Sequence, residues 1–370
     1  MKTIRTITRI ILGSVFLFSG FVKGQDPLGT MFRVEDYLIA YHLDFLLPIA
    51  LVIAILLCTL EFTIGFALFF NLRIRFTAWF TAGIMLFFTA ITFYDALYSP
   101  VPDCGCFGDA IKLTNWQTFW KNIALLIFVV LLIISLPIVK KKEKNILHWG
   151  LIIAGATGFF LFSVMCYRNL PPVDFMAWKK GNSIYPENTV APIFYVTYKN
   201  NMSGESQEFP ANNYPFNDSI WMSEWSFINI RVDNQGNDKK PDILIFDSLG
   251  ADYTDQILKN HGFQFILTSY DLETAGKADY QKINELASAL EAEGHSFVMI
   301  TASSGKILND FIKENSIVFE VYQADDVPIK TMVRSNPGLI LLHNNSIIDK
   351  WGWRNIPTID NLIYKIQKIQ

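Results

Sequence analysis

The sequence predicts two structures in one chain: a membrane-embedded bundle of five α-helices, followed by a soluble α/β domain. Three observations carry this. Hydrophobic residues fill 51% of the 370 positions and charged residues only 18%, where soluble domains run near ~25% charged. Five apolar runs reach the ~17–25 residues that a helix needs to cross a bilayer. From about residue 241, short apolar strands alternate with amphipathic helices, the pattern of an α/β domain.

The five runs lie at roughly 8–23, 45–71, 76–98, 117–139 and 147–166. The first has the basic start and apolar stretch of a secretory signal, but Ser19-Gly20-Phe21-Val22-Lys23 is a poor small-residue cleavage site and four more spans follow, so it is expected to remain as a span. Positively charged loops stay cytoplasmic. Lys2, Arg5 and Arg9 precede span one, Arg73 and Arg75 separate spans two and three, and Lys140-Lys141-Lys142-Glu143-Lys144 joins spans four and five. These segments belong on one face, with the N-terminus in the cytoplasm. The 24–44 loop, the 99–116 loop and everything after Cys166 then fall on the outer face of an inner membrane. Trp116, Trp120 and Trp149 fit interfacial aromatic belts beside membrane lipid. Gly13, Ser19, Gly20 and Gly65 are small enough to let helices approach closely.

Charge divides the same way. Residues 1–166 carry 13 Lys/Arg against 9 Asp/Glu, and residues 167–370 carry 18 against 25. With no clustered basic stripe, no nucleic-acid partner is expected. The predicted boundaries are a membrane domain over 1–140, a fifth span over 141–170, a strand- and loop-rich segment over 171–240 and the α/β domain over 241–370. Strands are expected at Asp242–Phe246, Phe263–Ser269, Phe297–Ala302, Val318–Tyr322, Gly338–Leu342 and Ile347–Trp351, with helices at about 278–293, 306–315, 327–334 and 358–369. Ile193–Tyr198 and Phe227–Val232 read as strands of the preceding segment.

All four cysteines, Cys58, Cys104, Cys106 and Cys166, lie in the membrane half. Cys104-Gly105-Cys106 falls in a loop placed on the outer face, where accessible thiol pairs are oxidised. Two cysteines one residue apart close only a strained ring, and strain makes a disulfide easy to reduce. Cys166 ends span five at the same face, in position for a resolving thiol. Three readings fit these cysteines: redox exchange by Cys104, Cys106 and Cys166; an inert staple between loop and span; and a copper(I)-type thiolate site, since zinc normally takes four ligands and no His lies near the loop. Cys58 reads as a small buried hydrophobe. Glu61, inside the second run, costs about 2.5–3.5 kcal/mol to insert; a bond to a neighbouring helix or a proton relay to a bound quinone-type carrier would offset this. Asp95 is expected near water at the end of span three. No Walker loop, dinucleotide turn or haem-attachment spacing is present.

The order of elements after residue 241 resembles a thioredoxin-like domain of the extracytoplasmic type: a leading strand and turn at Pro241–Asp252, and Pro337 in Ser335-Asn336-Pro337-Gly338 standing where that family has a cis-proline. Where its two catalytic cysteines would follow the strand at Phe263–Ser269, this chain has Tyr270-Asp271-Leu272-Glu273-Thr274. Without a thiolate the domain is unable to exchange disulfides, which leaves docking of a partner at Pro337, or packing alone.

Arg9, Gly13, Phe16, Ser19-Gly20 and Lys23 in span one, Glu61 and Gly65 in span two, Cys104-Gly105-Cys106-Phe107-Gly108 and Lys121-Asn122 together resemble the DoxX-like superfamily, in its MauE-type (methylamine utilisation) branch, over residues 5–138. That resemblance implies maturation of exported, disulfide-rich proteins, with those clients or a thiol-redox protein as partners. The rival is a non-catalytic membrane scaffold.

Overall fold

A computed structural model describes residues 2–101, 104–137, 145–185, 193–211, 213–215, 218–233, 243–275 and 278–369. The basic run 140–144, Pro102-Asp103 and Pro241-Asp242 lie outside the described residues. The chain divides into two compact units, residues 1–176 with 351–356, and residues 177–350 with 357–370.

The first unit is a helical membrane bundle of α1 (Lys2–Gln25), α2 (Pro27–Ala40), α3 (Ala50–Phe69, preceded by a 3₁₀ turn, Asp44–Ile49), α4 (Ile74–Tyr98), α5 (Asn115–Ile134) and α6 (Asn145–Arg168). Among the described residues, five helices are long and apolar enough to cross a membrane, at Lys2–Gln25, Asp44–Phe69, Ile74–Tyr98, Asn115–Ile134 and Ile146–Arg168. Outward side chains such as Trp79, Leu86 and Phe87 are more than half exposed, as lipid-facing residues are.

Helices α1 and α3 run antiparallel with their backbones in contact. A Cβ on Gly65 would stand 2.4 Å from Leu17 N, one on Gly20 would stand 2.5 Å from Phe62 N, and one on Gly13 would stand 2.9 Å from Phe69 N. Small residues here permit the close approach that drives helix association in lipid. Ser19, of the same expected set, faces elsewhere and joins the site described below. Arg9 donates from Nη1 to the Leu68 and Phe69 carbonyls, a cation at the C-terminal carbonyls of α3. Arg73 lies 5.3 Å over the Trp149 ring at the start of α6.

Helix α2 fills what the sequence left as a loop. Its start is nonetheless encoded: Asp26 caps it, with Oδ1 accepting from Gly29 N at 3.0 Å, and Pro27 occupies the first turn. Thr114 and Gln117 form a reciprocal capping box that starts α5 after the cysteine loop.

The second unit holds two sheets. β1 (Ile193–Asn200), β2 (Ser206–Pro210) and β3 (Trp225–Asp233), with α7 (Ser219–Glu224) between the last two, form an antiparallel sheet in the order β2-β1-β3. After α8 (Thr254–Leu258) come β4 (Phe263–Ser269), α9 (Leu272–Ala275), α10 (Tyr280–Ala292), β5 (Ser296–Thr301), α11 (Gly305–Glu314), β6 (Glu320–Gln323), α12 (Asp326–Met332), β7 (Gly338–His343), β8 (Ser346–Gly352) and α13 (Ile359–Gln367). The sheet order is β6-β5-β4-β7-β8; β4, β5 and β6 are parallel and β7 is antiparallel to β4.

Every residue of β4 is buried, as a central strand covered on both faces requires. Helix α10 buries Tyr280, Ile283, Leu286, Ala287 and Leu290, one stripe at helical spacing. Asn344 and Asn345, at φ 46° and 63°, turn β7 into β8 as a tight hairpin turn demands. The strand expected at 242–246 is reduced, within its described part, to a bridge at Phe246, paired with Gln323 and Asp252. The Asn336–Pro337 bond is cis.

Candidate functional site

At one end of the bundle, α1, α3, α4 and α5 surround a cavity of about 340 Å³ that α2 and the cysteine loop close. Its walls are mostly apolar, with Leu57, Phe88, Ile91 and Leu125 among them, and its polar lining includes Ser19, Lys23, Tyr37, Glu61, Cys104, Cys106, Lys121 and Asn122.

Gly105 sits at φ +60°, a left-handed conformation that costs glycine nothing. The turn continues through Gly108 N, which donates to Gly105 O at 2.9 Å. This brings the Cys104 and Cys106 sulfurs to 3.0 Å, both as free thiols. Sharing one hydrogen bond splits their acidities. The bond from Cys104 is the main force lowering the Cys106 thiol, which comes down to about 6, with Lys121 and Lys23 adding to the shift against the penalty of burial. Donating that bond, with burial, holds Cys104 protonated, its thiol pushed up. Cys106 is therefore the thiolate, the form that attacks disulfides and other electrophiles. The Lys121 ammonium lies 4.7 Å from the Phe107 ring centroid.

Glu61 answers its insertion cost with an ion pair. Lys23 Nζ stands 2.5 Å from the carboxylate, with both side chains less than a tenth exposed. Ser19 Oγ lies 2.9 Å from Glu61 Oε2 and 2.7 Å from the Cys106 carbonyl oxygen. Its single proton serves one acceptor at a time, so Ser19 links the buried pair to the backbone of the cysteine loop. Asp95, expected near water, is instead buried, because Tyr37 and Tyr41 reach it from the unforeseen α2 segment with hydroxyls at 2.7 and 3.2 Å. Burial raises the Tyr37 hydroxyl and pushes Tyr41 up to about 12; both therefore stay neutral donors at neutral pH. Tyr37 is also a hydrogen-bond partner of Cys104.

The structure thus brings Cys104, Cys106 and Glu61 to one cavity. Cys166 is buried on α6 and does not line it. Cys58 is fully buried on α3, its sulfur 3.9 Å from the Thr30 hydroxyl. Among the described residues, no three His, Cys, Asp or Glu side chains converge as metal ligands do. Tyr37, Tyr41, Ser19, Lys23 and Lys121 escaped the sequence reading as site residues. The Asp26-Pro27 helix start was the available signal for the two tyrosines.

In the second unit, Pro337 follows a side chain tied to the turn after β4. Asn336 Nδ2 donates to Asp271 O at 2.7 Å and to Thr274 Oγ1 at 2.9 Å, and Asn336 Oδ1 accepts from Ser269 Oγ at 2.8 Å.

No curated protein matches this chain. Residues 1–135 match the family model described as methylamine utilisation protein MauE, so this part of the chain is similar to that family.

Proposed function

We propose that the protein carries out thiol–disulfide exchange in the maturation of exported proteins, from the outer face of the inner membrane. The observation that carries this reading is the pair itself: the Cys104 and Cys106 sulfurs stand 3.0 Å apart at the wall of a cavity also lined by Lys23 and Lys121, surroundings that lower the Cys106 thiol while Cys104 is raised. In the oxidised form, a client thiolate attacks the Cys104–Cys106 disulfide and passes its electron pair to one loop sulfur. A second client thiolate then resolves the mixed disulfide, leaving the client oxidised and both loop thiols reduced. Cys106, the better leaving group, departs first. The Lys and Arg distribution supports a cytoplasmic N-terminus and an outer cysteine loop, which leaves Cys166 at the same face as a reserve thiol. A MauE-type domain fits a redox-maturation setting.

For the second unit, the strand order β6-β5-β4-β7-β8 with its intervening helices supports a thioredoxin-like domain. Lacking cysteine throughout, it contributes binding, with the Pro337 region as the docking face.

Acid-quenched maleimide trapping in native membranes tests the reading, on the wild type and on Cys104→Ser, Cys106→Ser and Cys166→Ser. Exchange predicts that Cys104 and Cys106 change redox state under mild reductant and that a single-Ser variant accumulates mixed disulfides with exported proteins. A pair that never oxidises, or one that resists reduction, overturns exchange in favour of a scaffold.

A further inference from the structure

Accepting thiols from clients leaves Cys104 and Cys106 reduced, so each turnover needs an oxidant, and the cavity restricts what that oxidant is. Both sulfurs line a space enclosed by Leu57, Phe88 and Ile91 within the membrane bundle. At about 340 Å³ it lies in the ~300–1,000 Å³ range of small-molecule sites, which are typically apolar with a few placed polar groups. Here those groups include the two thiols, the Tyr37 hydroxyl and the Lys121 ammonium. Lys23, the other cation at the wall, is held by Glu61.

We propose that this cavity seats the ring of a membrane-soluble quinone, which reoxidises Cys104 and Cys106. The proposal rests on the exchange reading above and names its electron acceptor. In the overall step, the two loop thiols give up two protons and two electrons and one S–S bond forms between their sulfurs. The quinone is reduced, its two carbonyl oxygens becoming hydroxyls, so hydrogen and electrons balance without a further reactant. Cys106 reacts as the thiolate, its proton having gone to water and returning from water to the quinone; Cys104 supplies the other proton, and the Lys121 ammonium at the cavity wall meets the negative charge that builds on a ring oxygen.

The test uses the full-length chain in lipid nanodiscs, reduced and freed of reductant, with decylubiquinone or menadione as the probe. Quinone absorbance and maleimide trapping of Cys104 and Cys106 are followed in one sample, and oxidised glutathione oxidises the same thiols in a parallel one. The expected result is one quinol per disulfide formed, with a Cys104→Ser/Cys106→Ser variant inert. Ile91→Trp, which fills the cavity, should slow the quinone reaction about tenfold or more, equivalent to about 1.4 kcal/mol or more. Photo-crosslinking of the wild type with an azido-quinone needs no variant and should label the α3–α5 wall around Leu57 and Ile91. Oxidation by glutathione without quinone reduction, or labelling confined to other surfaces, overturns the quinone site while leaving exchange intact. Thiols inert to both oxidants refute the exchange reading itself.

Discussion

Replacing Glu61 with Gln should be among the most damaging single changes in the membrane unit. The Lys23 ammonium lies 2.5 Å from the carboxylate with its side chain 8% exposed. At that separation, and at the effective dielectric of ~20 that reproduces measured pairs, the attraction is about 6–7 kcal/mol. It stands against desolvation of several kcal/mol per ion, so the intact pair adds little net stability. Removing one partner leaves the other charge buried and unpaired, which costs about 3–5 kcal/mol, in line with the ~2.5–3.5 kcal/mol for a lone charge placed mid-span.

A double-mutant cycle isolates this. Glu61→Leu and Lys23→Met should each destabilise by about 3–5 kcal/mol, as Glu61→Gln does, while Lys23→Met combined with Glu61→Leu should cost less than either single change, because it restores an apolar contact. The assay is SDS-driven unfolding of the full chain in mixed micelles, followed by the far-ultraviolet helical signal, which the spans dominate. Costs that simply add, or a Glu61→Gln effect below about 1 kcal/mol, would refute the claim that the pair is buried and coupled.

Four further outcomes follow from the same geometry. On a Cys58→Ser/Cys166→Ser/Cys104→Ala background, Cys106 loses the hydrogen bond that most lowers it; with Cys104 restored, its iodoacetamide reaction should be half-maximal near pH 6 and not near ~8.5. The lowered midpoint means that thiolate persists above it and disappears as pH falls through it, and Lys121→Met should move the midpoint up. Gly65→Val sets a side chain against Leu17 N, 2.4 Å from a Cβ, and should cost at least the ~1–3 kcal/mol of overpacking, read in the same micelle assay. Gly105→Ala meets Arg33 Cγ at 3.0 Å in a left-handed turn; the sulfurs should part, raising the Cys106 midpoint in the alkylation profile. Asn336→Ala removes bonds to Asp271, Thr274 and Ser269 and should lower the melting of the second unit by about 1–3 kcal/mol, with maleimide trapping of Cys104 and Cys106 unchanged.

What the sequence made legible was whatever a local period encodes. Twenty-odd apolar residues in a row read as a span, and the run Phe263–Ser269 read as a buried strand with its ends correct. Lys23 illustrates what escaped. It stands at the end of span one, and only the crossing of α1 on α3, where Gly13, Gly20 and Gly65 allow close approach, carries it to Glu61, 38 residues away. Asp95 escaped for the same reason: its tyrosine donors sit on and just after α2, a 14-residue helix too short to read as a span. The strand at 242–246 failed differently, since an edge strand needs a partner of matching length and β6 offers only Glu320–Gln323.

The two lysines beside Cys106 do different work. Lys23 lowers the thiol and Glu61 raises it, and since these opposite charges touch, their fields largely cancel at the sulfur. Lys121 outranks both, with its ammonium against the face of Phe107, the residue that follows Cys106. The buried pair therefore positions the loop, through Ser19 and the Cys106 carbonyl, while Lys121 charges the thiol. Double replacement of Lys23 and Glu61 by apolar residues should then leave the Cys106 alkylation midpoint nearly in place and speed hydrogen exchange at the loop amides. Lys121→Met should do the reverse, and a midpoint that follows the pair instead of Lys121 would sink this division of roles.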